Sequence, residues 1–205
     1  MSEYNTVEER VSYGIGRQVG DQLADNPIEG LSIDAVLSGL ADRLNDVESP
    51  VAPEKMQEAF EEIHQRIEAK QKTEAAAKVG EGEKFLVENG QREGIITTES
   101  GLQYEVQSEG TGEKPTAEAT VKVHYHGSLL NGQVFDSSVE RGEPATFPVN
   151  RVIAGWTEAL QLMPVGSKWR LYVPHNLAYG AQGAGGAIGP YETLIFDVEL
   201  IDIEA

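Results

Sequence analysis

The chain of 205 residues contains no cysteine. Disulfide staples, thiolate metal sites and a cysteine nucleophile are therefore excluded. Positive charge is scarce: 16 Lys and Arg stand against 34 Asp and Glu, a formal net charge of −18. Such a balance repels phosphate backbones and anionic lipid, so neither nucleic acid nor a membrane is the expected partner. No apolar run approaches the roughly 20 residues a membrane helix needs. The first residues, MSEYNTVEER, show neither the basic nor the apolar region of a secretory signal, and the expectation is a cytoplasmic protein. What is present is ordinary for a globular chain, with 40% hydrophobic and 24% charged residues and a length suited to one large domain or two small ones.

Glycine and proline are missing from Glu54 to Val79, a stretch rich in Glu, Gln, Lys, Arg and Ala, all good helix formers. Met56, Phe60, Ile63 and Ile67 form one apolar stripe at helical spacing. Pro53 suits a first helical position, where its missing N–H would be unpaired anyway. A long helix is expected over 54–95, weakened near Gly80, with a middle too polar to be wrapped by its own chain and therefore a solvated strut between domains. Upstream, Val7, Val11, Ile15, Val19 and Leu23 step along one helix face, with Gly14, Gly16 and Gly20 on the same segment. A glycine inside a helix costs about 1 kcal/mol relative to alanine, so three of them imply close approach of another backbone. Asn26 and Pro27 would stop this helix. Ser32 would cap a second one carrying Ile33, Val36, Leu37 and Leu40. Three such helices enclose little core. Either a second copy completes it, crossing at the glycines, or the segment is a small monomeric three-helix domain.

From about Ser100 the period becomes two. Val121, Val123 and Tyr125 alternate with polar residues, as do Trp169, Leu171 and Val173, and Leu194, Phe196, Val198 and Leu200. Leu102, Tyr104 and Val106 suggest an earlier strand, and Gly155–Met163 reads as one short helix ended by Pro164 and Gly166. The fold class is α+β: an N-terminal all-helical domain with a long connecting helix, then an antiparallel half-barrel around a short helix. The expected domains are 1–53, 54–95 and 96–205.

Bond-breaking chemistry finds no equipment. The Gly14–Gly20 segment is one residue too long for a dinucleotide loop and follows no strand. Neither a G-x-S-x-G elbow nor a phosphate-binding loop occurs. His124 and His126 share a strand face without a third ligand, which reads as two solvent-facing side chains and no metal site. No cofactor is expected. What stands out is a set of aromatic and branched residues beside glycine-rich loops.

Residues 121–142 (VKVHYHGSLLNGQVFDSSVERG), 149–171 (VNRVIAGWTEALQLMPVGSKWRL) and 177–200 (LAYGAQGAGGAIGPYETLIFDVEL) resemble the FKBP-type peptidyl-prolyl isomerases in three ordered blocks. The helical segment with YGIGRQVG resembles the homodimeric bacterial branch of that family, of macrophage-infectivity-potentiator type. The resemblance implies a five- or six-stranded half-barrel and a prolyl pocket between helix and sheet. Carried over by motif, Trp156 is the pocket floor, and Phe135, Phe147 and Phe196 are walls. Tyr125, Val152 and Ile188 complete the lining. The Ile153 N–H and the Tyr179 hydroxyl hold substrate carbonyls, and Asp136 is the one charged group beside the ring. Catalysis would fall to Asp136, Tyr179, Phe135 and Trp156. The implied partners are proline-containing unfolded proteins and peptides, a second copy through the N-terminal helices, and macrolide inhibitors. Ala145 stands where the eukaryotic pattern has an aromatic residue, the segment before Val152 is two residues shorter, and Ala184 replaces a bulkier flap residue. A prolyl isomerase is the expected function, and a non-catalytic peptide-binding chaperone module is the alternative.

Overall fold

A computed structural model describes residues 4–25 and 27–204. Contacts divide the chain into two compact units, Met1–Ala69 and Lys70–Ala205. The division falls inside a helix, not at the expected 95/96 boundary.

The first unit holds α1 (Val7–Asp25), α2 (Ile33–Leu44) and the start of α3 (Pro53–Asn89). A capping box opens α1: Glu9 N–H donates to Thr6 Oγ1 at 3.1 Å, and Thr6 N–H donates back to the Glu9 carboxylate at 2.9 Å. Asn26, expected to stop α1, lies outside the described residues. Ser32 caps α2 by accepting from the Ala35 N–H at 3.2 Å. No residue of α1 or α2 is buried. Val7 is 63% exposed, Ile33 69% and Leu44 82%. The chain places no atom within 4 Å of where a Cβ on Gly14, Gly16 or Gly20 would stand, so its own packing does not account for those glycines.

The second unit is built on seven antiparallel strands: β1 (Ile95–Thr97), β2 (Gln103–Ser108), β3 (Thr120–Leu129), β4 (Val134–Ser137), β5 (Ala145–Pro148), β6 (Lys168–Val173) and β7 (Leu194–Glu204). The order is β1-β2-β6-β7-β3-β4, with β5 paired to β3. The five- or six-stranded expectation is corrected upward by the short strands β1, β4 and β5. A four-residue turn of helix, α4 (Ser138–Arg141), follows β4, and α5 (Ala154–Leu162) supplies the central helix. Burial alternates strictly along β3, with Val121, Val123, Tyr125 and Leu129 inside, because successive side chains point to opposite faces. Trp156, Ala159 and Leu160 of α5 are buried in the same core cluster.

Alternation breaks on β6 and β2, where Tyr172 and Gln103 are also buried. Both belong to the face opposite Leu171, and the end of α3 covers them. Phe85 meets Tyr172 with ring centroids 5.8 Å apart. A Cβ on Gly82 would collide with Thr193, so the glycine admits the helix to the sheet. Asn89 Nδ2 donates to Gln103 Oε1 at 2.9 Å, and Gln103 Nε2 donates to the Leu86 carbonyl at 2.8 Å. Lys78 pairs with Glu192 at 2.9 Å. The helix thus runs unbroken through Gly80, and its last turns are part of the sheet domain, not a solvated strut. Gln103→Leu should strand the buried Asn89 amide donor, while the Leu86 carbonyl keeps the Gly90 N–H, and cost about 2 kcal/mol. Urea unfolding should register the loss while peptide turnover stays unchanged.

Candidate active site

Gly127 on β3 explains how an aromatic cup forms here. It is paired with Asp136 on β4 and Phe196 on β7. A Cβ at this position would stand 2.7 Å from the Phe135 ring and 2.9 Å from the Phe196 ring. The missing side chain lets these two rings meet edge to face, centroids 5.5 Å apart. Trp156, only 4% exposed, forms T-shaped contacts with Tyr125 at 5.3 Å, Phe196 at 5.3 Å and Phe147 at 5.9 Å. Edge-to-face geometry suits the ring quadrupoles and leaves a concave surface instead of a filled stack. The result is an open cavity of about 610 Å³.

The structure brings all ten expected residues to that cavity: Tyr125, Phe135, Asp136, Phe147, Val152, Ile153, Trp156, Tyr179, Ile188 and Phe196. Ala145 pairs with Val123 on β3 and is not among the lining residues, so Phe147 alone supplies the β5 wall. Ile153 caps α5, whose first amides donate to its carbonyl. Its own N–H donates to no group among the described residues, and neither does the Tyr179 hydroxyl. Burial, with the Asp136 charge, raises the Tyr179 pKa.

Asp136 is held by a network the sequence concealed. Tyr125 Oη donates to one carboxylate oxygen and Arg141 Nη1 to the other. Arg141 Nη2 also donates to Tyr125 Oη at 3.0 Å. Two serines aim the arginine. Buried Ser138 accepts from the Tyr125 N–H at 2.8 Å, and Ser137 caps α4 by accepting from the Glu140 N–H at 3.2 Å. Gly142, at φ 78°, then ends the turn in the left-handed region that favours glycine. Arg141 lies within the quoted VKVHYHGSLLNGQVFDSSVERG block, yet its role becomes visible only when one helical turn folds back on β4. Ala184 and Gly185 of the flap also line the cavity, as do Arg151 and Ala187, which the sequence did not single out. His124 and His126 are not free on the surface, since their Nδ1 atoms lie 3.1 Å from Ser138 Oγ and 3.0 Å from Ser137 Oγ.

Burial would raise the Asp136 pKa, but the bonds from Tyr125 and Arg141 outweigh it and hold the carboxyl below its ordinary value. Burial and the bond to Asp136 push the Tyr125 phenol up. The carboxylate is therefore ionised and both phenols are protonated through the neutral range, leaving no group poised for proton transfer. Turnover should be flat from about pH 5 to about pH 9.5. Because the folded pKa of Asp136 is depressed, its contribution to stability is complete above about pH 4 and is lost as pH falls through the folded value. A pH profile of peptide isomerisation alongside thermal unfolding checks both statements.

Fold and site define a class: an antiparallel half-barrel closed on one helix, with an open aromatic cup that offers no nucleophile. The match to known families agrees. Residues 111–201 match the FKBP-type peptidyl-prolyl cis-trans isomerase model, and residues 8–106 match the domain amino terminal to it. The chain is 50% identical over 200 residues to the FKBP-type 22 kDa peptidyl-prolyl cis-trans isomerase of Escherichia coli, covering 98% of this chain and 97% of the relative. It is 45% identical to the FkpA isomerase of Aeromonas hydrophila over 214 residues, covering 99% and 79%. The crystal structure of FkpA from Escherichia coli superposes with a TM-score of 0.71 at 32% identity, covering 98% of each chain. The chain belongs to the FKBP-type peptidyl-prolyl cis-trans isomerases. It is an isomerase of X–Pro bonds, and the non-catalytic alternative is not favoured.

Proposed function

We propose that isomerisation takes place in the Trp156 cup by preferential binding of the half-rotated X–Pro imide. We further propose that the chain acts as a homodimer presenting two such cups to one unfolded or partly folded client. Rotation about X–Pro breaks amide resonance against a barrier of about 18–20 kcal/mol and takes tens to hundreds of seconds unaided. The twisted amide is less polar than either planar form, so an apolar enclosure that fits it better lowers the barrier by differential binding. Trp156 supports the proline ring from below, and Phe135, Phe147 and Phe196 exclude water around it. The unengaged Ile153 N–H and Tyr179 hydroxyl hold the flanking carbonyls. Asp136, fixed by Tyr125 and Arg141, shapes the field on the rotating carbonyl without moving a proton. The observation that carries this reading is the convergence of six aromatic rings on an open cavity whose acid is already engaged.

The dimer rests on the exposed apolar faces of α1 and α2 and on glycines that this chain leaves unpacked. Joining two sites raises effective concentration for a client that touches both. A protease-coupled proline-peptide assay and light scattering test the two parts. Turnover no faster than buffer overturns the first, and a mass near 22.3 kDa overturns the second.

A further inference from the structure

Besides Asp136, the cavity lining includes a second charged residue, Arg151. The two charges are in opposite situations. Asp136 is neutralised by Arg141 and accepts a hydrogen bond from Tyr125. Arg151 is exposed, and among the described residues it has no ion pair and no side-chain hydrogen bond. Its backbone is nevertheless fixed. Arg151 ends a one-turn helix, Val149–Arg151, that leads directly into Val152 and Ile153. Val149 is fully buried, donates its N–H to the Ala119 carbonyl at 2.9 Å and accepts from Thr157 Oγ1 at 2.7 Å. Arg151, whose guanidinium has no partner among the described residues, is therefore carried by an anchored turn at the lip of the cup, two residues from the free Ile153 N–H.

We propose that Arg151 is a specificity residue, selecting X–Pro bonds with an aspartate or glutamate beside the proline. The inference rests on the cup being the site of isomerisation. A guanidinium offers several donors in a planar fork that matches a carboxylate. With substrate bound, the lip loses part of its water, and the pair gains more than an open surface contact would. The chain carries a net charge of −18, so an acidic client is repelled at long range. The preference therefore comes from this short-range contact and not from steering.

The test compares peptides differing only in Glu, Gln or Lys, placed before or after proline, with exchange rates measured by NMR for the full-length protein. The expected Glu-to-Gln ratio of kcat/KM is about three to ten at one of the two positions, shrinking toward one in 1 M salt. In Arg151→Gln the ratio should fall to about one, and in Arg151→Glu the preference should turn toward Lys. These ratios are taken within each variant, so a general change in folding or packing cancels. Equal turnover of all peptides by the wild type overturns this inference alone. Exchange of every peptide at the uncatalysed rate overturns the assignment of the cup, and this inference with it.

Discussion

Phe135→Ala should lower kcat/KM on a short X–Pro peptide about ten- to hundredfold. Phe135 sits on β4 as a half-buried wall, packed on the core and not inside it. Truncation removes apolar surface that would enclose the bound ring, worth about 1.5–3 kcal/mol if fully used, and every 1.4 kcal/mol is a factor of ten in rate. If the cup binds the half-rotated imide preferentially, as proposed, the loss should fall on kcat as well as KM. Trp156→Leu should act in the same direction with a larger stability penalty, since Trp156 is buried and touches three other rings. Gly127→Ala offers an independent check: its methyl group would push on Phe135 and Phe196 together, closing the cup without removing a single aromatic atom. Measured against thermal unfolding, these variants separate a pocket from a plain core. If activity falls only in proportion to lost stability, the rings are packing and nothing more.

Residues 70–205 alone should isomerise short peptides at nearly the full rate but accelerate refolding of a proline-limited protein about a hundredfold less than the whole chain. A short peptide occupies one cup, so removing α1, α2 and the first turns of α3 takes nothing from it. A long client can engage two cups when the chain is paired, and linkage of that kind multiplies apparent affinity by about 10²–10⁴. The starting residue matters. A chain cut at 96 would also lose Lys78, Phe85 and Asn89, uncovering Tyr172 and stranding Gln103, and it should unfold at lower denaturant. Equal refolding activity in the 70–205 protein would overturn the two-site clamp.

How much was legible in the sequence depended on the range of the interaction. Strand alternation at Val121, Val123 and Tyr125, the Ser32 cap and the Pro53 start are local, and local propensity governs them. The ten cavity residues were legible too, but only through the resemblance of whole blocks, since an isolated tryptophan on a short helix reads as core. Tyr172 and Gln103 could not be placed correctly by period, because what buries them is a helix about 15 to 90 residues away in sequence. For the same reason the long helix, with its polar middle, read as a solvated strut along its whole length.

Arg141 and Arg151 show the remaining limit. Composition determined that positive charge is scarce, and motif order determined the family, the half-barrel and the isomerase function. Whether a particular arginine is spent inside the protein or left free at its surface was decided by tertiary structure alone. One turn of helix after Asp136 brings Arg141 back onto the carboxylate, whereas the Val149 anchor holds Arg151 at the lip with no acid to meet. Electrostatic roles follow distance in space, and that distance is fixed by packing between segments that local sequence does not relate.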